Sequence, residues 1–159
     1  RALALVAELE ATMDKARARA AAAPRRPRED FEDWDEPPIS AVGGGRESVA
    51  IAGGEDVFAE RACHPGAAQR ILADPLEAAR AKPDIVVGSW CGKRFRPERV
   101  AERPGWEAVP AVRDGELHEV KSALILAPGP VALREGLPAL AEIIARWARR
   151  AFDGYSAAR

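Results

Sequence analysis

Apolar positions fall at helical spacing near both ends of the chain and into short runs between them. Over residues 2–23, Ala2, Leu5, Leu9, Met13 and Ala16 recur every three or four positions, which predicts one long amphipathic helix. Its acids (Glu8, Glu10, Asp14) precede its bases (Lys15, Arg17, Arg19), an order that suits the helix dipole, and Pro24 and Pro27 stop it. Near the other end Leu133, Leu137, Leu140, Ile144, Trp147 and Ala151 form the apolar stripe of a second long helix, with Pro138 in an early turn. Residues 153–159 are expected to fray.

Between these helices the pattern shortens. Asp84-Ile85-Val86-Val87-Gly88 reads as a buried strand leading into a loop, Ser89-Trp90-Cys91-Gly92-Lys93. Residues 28–34 predict only a weak strand, because Phe31 and Trp34 stand among four acids; Asp35-Glu36-Pro37-Pro38 reads as a loop. Ser40 is expected to cap a helix to Ala52 with Gly43-Gly44-Gly45 in its first turns, and Asp74-Pro75 to open a helix ending near Lys82. Residues 96–102 predict a short helix. Val109–Val112 and Leu117–Val120 flank Asp114-Gly115 and predict a hairpin, with Pro110 placing its first strand at an edge. Helices alternating with short strands, without internal repeat, predict an α/β fold: a three-layer αβα Rossmann-like lobe over 28–152 with a mostly parallel sheet, preceded by a long helix over 1–24. Ligands meet such sheets at the loops after strand carboxyl ends, and Trp34 and Trp90 both occupy that kind of position.

Composition narrows the function classes. The 159 residues suffice for one domain with its own core, at 47% hydrophobic content. Lys plus Arg number 24 against 25 Asp plus Glu, a balance that argues against a dedicated nucleic-acid binder, which needs a basic face. No apolar stretch is long enough for a transmembrane helix. Two cysteines, Cys63 and Cys91, cannot make a disulfide framework, and with only two histidines at no paired spacing they make no metal site. The chain starts at Arg1 and enters a helical pattern at once, without a visible secretory signal, so it is expected to be cut from a longer one.

Several blocks stand out in order: Phe-Glu-Asp-Trp-Asp-Glu-Pro (31–37), Ala-Gly-Gly-Glu-Asp-Val-Phe (52–58), Pro-Asp-Ile-Val-Val-Gly-Ser-Trp-Cys-Gly-Lys-Arg-Phe (83–95), Pro-Gly-Trp-Glu-Ala-Val-Pro-Ala-Val (104–112) and Ala-Pro-Gly-Pro (127–130). In this order and spacing they resemble the C-terminal half of cobalamin-binding, iron-siderophore/B12-type substrate-binding proteins of ABC transporters. The resemblance implies two α/β lobes bridged by one long helix, with the ligand in the cleft between them. Residues 1–24 then correspond to the bridge and 28–152 to the C-terminal lobe, while the N-terminal lobe is missing. It further implies a transported ligand, cobalamin or a ferric siderophore, an ABC permease as partner, a periplasmic location with a cytoplasmic one left open, and no cofactor of the protein's own. The chain departs from the family pattern at Glu29 and Asp30, where apolar strand residues are usual, at Gly44, where an aromatic is usual, and at Ala123, where an acid is common. Glu77, beside the matching helix start, is the candidate for permease docking.

A corrinoid is a large, flat, partly apolar disc edged with amides. Trp34 and Trp90 suit its face, while Glu32, Lys93, Arg94 and Ser122 suit its polar edge. Each has a plainer reading: the tryptophans as core residues, the charges as solvated loop and strand-edge groups. Two alternatives to a binding module stay open. Cys91, beside Lys93 and with His118 as a distant base, allows a cysteine-dependent enzyme. A truncated chain without independent function is the other. Gly43-Gly44-Gly45 is not a phosphate loop, since no Gly-Lys-Ser/Thr follows.

Overall fold

The computed structural model describes residues 1–157, with side chains through Asp153. The long first helix, α1, spans Ala2–Ala21. Strand β1 (Arg28–Asp35) forms the centre of an open five-stranded sheet. One of its edges pairs in parallel with β4 (Ile85–Gly88), Phe31 opposite Val87, and β5 (Leu117–Glu119) continues the sheet in parallel beyond β4. The other edge is shared by β3 (Glu55–Asp56), parallel, and β2 (Pro38–Ser40), the one antiparallel partner.

Alternation along β4 divides the interior in two. Ile85 and Val87 face a core with Phe31, Val49, Leu137, Leu140, Ile144 and Trp147, under α1, α2 (Gly43–Ala52) and α7 (Leu137–Ala157). Val86 faces a second core with Trp90, Phe95, Val100, Trp106 and Val109, under α3 (Glu77–Ala81), α4 (Pro97–Ala101) and α5 (Pro110–Arg113). The sheet between two helical layers is the three-layer arrangement the sequence predicts.

Four local expectations are corrected. The weak strand is the central one: Phe31 is buried, and so are Glu29, Asp30 and Glu32. Its backbone is satisfied by β4 on one side and by β2 and β3 on the other, so pairing overrides the poor strand composition. The hairpin at 109–120 does not form. Pro110, which lacks an N–H and has its φ preset, starts α5 instead, and Gly115 at φ 71° turns the chain into β5. Ser40 does not cap α2. It ends β2, where its hydroxyl donates to the Arg70 carbonyl at 3.3 Å, and Val42 is the N-cap residue. The expected loop at 35–38 is only a tight turn at Glu36 and Pro37 between β1 and β2.

Asp74 does organise the start of its helix, accepting the Leu76 N–H at 2.9 Å, although regular helix begins only at Glu77. The apolar run after Lys121 forms α6 (Ser122–Ile125), and a wide π-type turn at Ala132–Gly136 leads into α7. The tail expected to fray from 153 continues as helix through Ala157; residues 158 and 159 lie outside the described residues.

Candidate functional site

The turn after β1 and the loop after β4 meet at the carboxyl edge of the sheet. They are joined by backbone bonds that prolong the ladder: the Ser89 N–H donates to the Glu32 carbonyl at 2.8 Å and the Cys91 N–H to the Asp33 carbonyl at 3.3 Å. Trp34 is half-buried, and its indole N–H donates to the Glu36 carbonyl at 3.0 Å, which fixes the ring. The Lys93 ammonium lies 4.0 Å from the centroid of that ring and pairs with the Asp35 carboxylate. Asp35 has a second cation, Arg99, at 3.4 Å.

Lys93, Arg94 and Ser122 line one open cleft of about 620 Å³ together with Gly92, Glu119 and Lys121, at the ends of β4 and β5. Of the candidate ligand residues, then, Lys93, Arg94 and Ser122 line one cleft, and Trp34 touches its wall through Lys93 without lining it. Arg94 and Lys121 are exposed.

Glu32 and Trp90 belong beneath the rim, which corrects their assignment to ligand contact. Glu32 is 1% exposed and Trp90 2%. The Trp90 N–H donates to Glu32 Oε2 at 3.1 Å, and its ring meets Phe95 edge-on with centroids 4.8 Å apart. Arg103 donates to the same Glu32 oxygen at 3.1 Å and lies over the Trp106 ring at 4.8 Å. A hydrogen-bonded, edge-packed indole holds the loop in place and offers no free face. A second cleft, of about 840 Å³, is lined by Trp90 together with Asp35, Pro38, Leu76, Arg99 and Arg103 among others, although Trp90 is only 2% exposed.

Sequence reasoning missed Asp35, which holds Lys93, and the two arginines that answer the acids of β1. Arg103 meets Glu32, and Arg70 meets Asp33 at 2.6 Å. The crowding of acids on a strand is itself the signal that internal cations are needed, but no spacing reveals which arginines supply them. Among the described residues Glu29 has no such partner. Burial, reinforced by Asp56 and Asp30, pushes its carboxyl up to about 8. Burial also raises Asp30, with Glu32 adding to the effect, and raises Asp33 and Asp56.

The remaining candidates sit elsewhere. Glu77 is half-buried at the start of α3 with its carboxylate paired to Arg61, so docking through it has first to break that pair. Cys91 is exposed, but the Nε2 of His118 lies 2.7 Å from Glu116, a carboxylate also bound by Arg150. Among the described residues no cluster of His, Cys, Asp and Glu is arranged to hold a metal ion, and no helix is long and apolar enough to cross a membrane.

Solved structures with this fold include the periplasmic heme-binding protein BhuT in complex with two hemes (TM-score 0.71, 18% identity, 92% of this chain and 56% of that one). The apo heme-binding protein RhuT from Roseiflexus sp. RS-1 is similar (0.68, 20%, 91% and 55%), as is Helicobacter pylori CeuE with Ni(II) bound (0.69, 15%, 97% and 48%). At these identities the likeness concerns the fold alone, and the chain spans about half the length of each. No curated protein sequence matches it. The family described as periplasmic binding protein matches residues 1–124, the greater part of the chain, and the chain belongs to that family.

Proposed function

We propose that the chain binds a bulky metal chelate, cobalamin or a ferric siderophore, as the C-terminal half of a two-lobed substrate-binding protein that hands its ligand to an ABC permease from the periplasm. The observation that carries this reading is a cleft lined by Lys93, Arg94 and Ser122 at the carboxyl edge of a mostly parallel sheet, with the Trp34 ring against Lys93. In open α/β sheets the ligand crevice lies at that edge, outside the carboxyl ends of the strands. The cleft is a single wall, and a large flat ligand is enclosed only when a second wall closes on it. In this reading α1 is the bridge to the other lobe, Glu77 is a docking carboxylate once released from Arg61, and no covalent step belongs to the chain. Heme falls in the same class of flat chelate, and the likeness to BhuT makes it a third ligand to titrate.

Calorimetric titration of the chain with cyanocobalamin, a ferric hydroxamate siderophore and hemin tests the proposal. Saturable one-to-one binding of one of them is expected, weakened by Trp34→Ala. The affinity should be far below that of an enclosed site, because half the contact area is absent. Binding as tight as in a closed two-lobed protein would refute the half-clamp, and absence of binding to all three would refute the ligand class.

A further inference from the structure

The aromatic face that suits a flat ligand is already covered. Lys93 places its ammonium 4.0 Å from the Trp34 centroid, and the same ammonium pairs with Asp35, whose side chain is 4% exposed. The ring cannot swing away from the cation, because its N–H is tied to the Glu36 carbonyl at 3.0 Å. A disc can therefore stack on the face of Trp34 that Lys93 occupies only after Lys93 moves.

Two features make that movement feasible. Asp35 keeps Arg99 at 3.4 Å, so departure of Lys93 does not strand a buried carboxylate without a cation. The lysine also sits in the wall of the open cleft beside Arg94 and Ser122, where its flexible stem has room to turn. Once off the ring, the ammonium loses both the aromatic face and Asp35. Glu119 lines the same cleft, but Arg94 and Lys121 already crowd it with cations, so an incoming molecule that carries its own anion near the edge of its flat face recompenses the ammonium most directly.

We propose that Lys93 is a specificity-determining residue, covering Trp34 in the free chain and favouring flat ligands that carry a carboxylate or similar anion over neutral, amide-edged ones. This rests on the reading of the Trp34 rim as the ligand site. The lysine disfavours neutral discs, amide-edged cobalamin among them, by occupying their place and rewards anionic ones by following their charge, so within the proposed ligand class it ranks an anionic chelate above cobalamin.

The test has one arm without ligand and one with it. Trp90, Trp106 and Trp147 are buried at 2%, 1% and 7% exposure, so acrylamide quenching of tryptophan emission reports chiefly on Trp34. Lys93→Met keeps the stem and removes the charge, and it should raise quenching in the ligand-free chain; Lys93→Arg should not. Unchanged quenching in Lys93→Met overturns the covering role. In the second arm the same variants are titrated with hemin and with hemin dimethyl ester, one disc with and without two carboxylates. Lys93→Met should bind the ester about two- to fivefold more tightly than the native chain does, as expected for release of a modest cation–π contact. It should bind hemin about tenfold more weakly, through loss of a charge-assisted contact. Lys93→Arg should keep the native order. Equal shifts for both ligands overturn the selectivity while leaving the site intact, whereas absence of binding by every variant defeats the reading of the rim itself.

Discussion

Glu32 and Arg103 face one another across the space between β1 and the turn after α4, with the guanidinium donating to both carboxylate oxygens over a sequence separation of 71 residues. Glu32 is 1% exposed, so the pair is an interior one, and Trp90 completes it from the loop after β4. Three segments that share no sequence proximity are thereby locked beneath the rim.

Arg103→Met should destabilise the fold by about 3–5 kcal/mol, since it leaves Glu32 buried and unanswered by a cation. The double variant Glu32→Gln with Arg103→Met should recover most of that loss, because a neutral amide still accepts from Trp90 and no charge is stranded. Urea unfolding of the three chains measures both. If the double variant is no more stable than Arg103→Met, the pair is not the source of the effect.

The buried acids make stability depend on pH in an unusual direction. Glu29 is held near 8 in the folded chain against an ordinary 4.5, so the folded state keeps a proton that the unfolded state gives up. Its contribution is complete below about 4.5 and is lost as pH rises through 8, by an amount up to about 5 kcal/mol. Asp30, Asp33 and Asp56, also raised, act in the same sense. The melting temperature should fall from pH 5 to pH 9, and Glu29→Gln should flatten that fall. A native chain more stable at pH 9 than at pH 5 would contradict the buried placement of Glu29.

Gly88 and Gly44 should respond oppositely to alanine. A Cβ on Gly88 would stand 1.9 Å from Cδ2 of Phe95, the ring that also packs on Trp90, so Gly88→Ala should cost about 3 kcal/mol or more. A Cβ on Gly44, in the first turn of α2, would meet nothing within 4 Å beyond its own turn among the described residues, and Gly44→Ala should stabilise by up to about 1 kcal/mol. Thermal melts of the two variants separate a packing glycine from a merely flexible one.

Trp34 at the rim and Trp90 beneath it should also part company. Trp34→Ala should weaken chelate binding about tenfold while costing less stability than Trp90→Ala, since its ring is only partly buried and lies outside both core clusters. Trp90→Ala should cost about 3–5 kcal/mol of stability, because it opens the core against Phe95 and takes a donor from Glu32. Comparable stability losses in both would show that Trp34 is a core residue.

What the amino-acid order determined by itself was periodic and local. The stripe through Leu137, Leu140, Ile144 and Trp147 and the run Ile85–Val87 need only side-chain spacing to be read, and from their alternation followed the α/β class and the placing of Trp34 and Trp90 in segments that follow strand carboxyl ends. Tertiary structure alone decided the rest. β1 is central despite Glu29, Asp30 and Glu32, because ladders on both edges and Arg103 from a distant turn outweigh its propensity. Pro110 begins a helix although its neighbours Val109 and Val112 suit a strand, since β5 finds its partner in β4. Which tryptophan remains accessible, and which cation lies upon it, depends on contacts such as those of Lys93 with Asp35 and of Trp90 with Glu32, both pairs 58 residues apart. A pattern of periods carries no record of such distances, because partner choice is settled only when the chain has closed on itself.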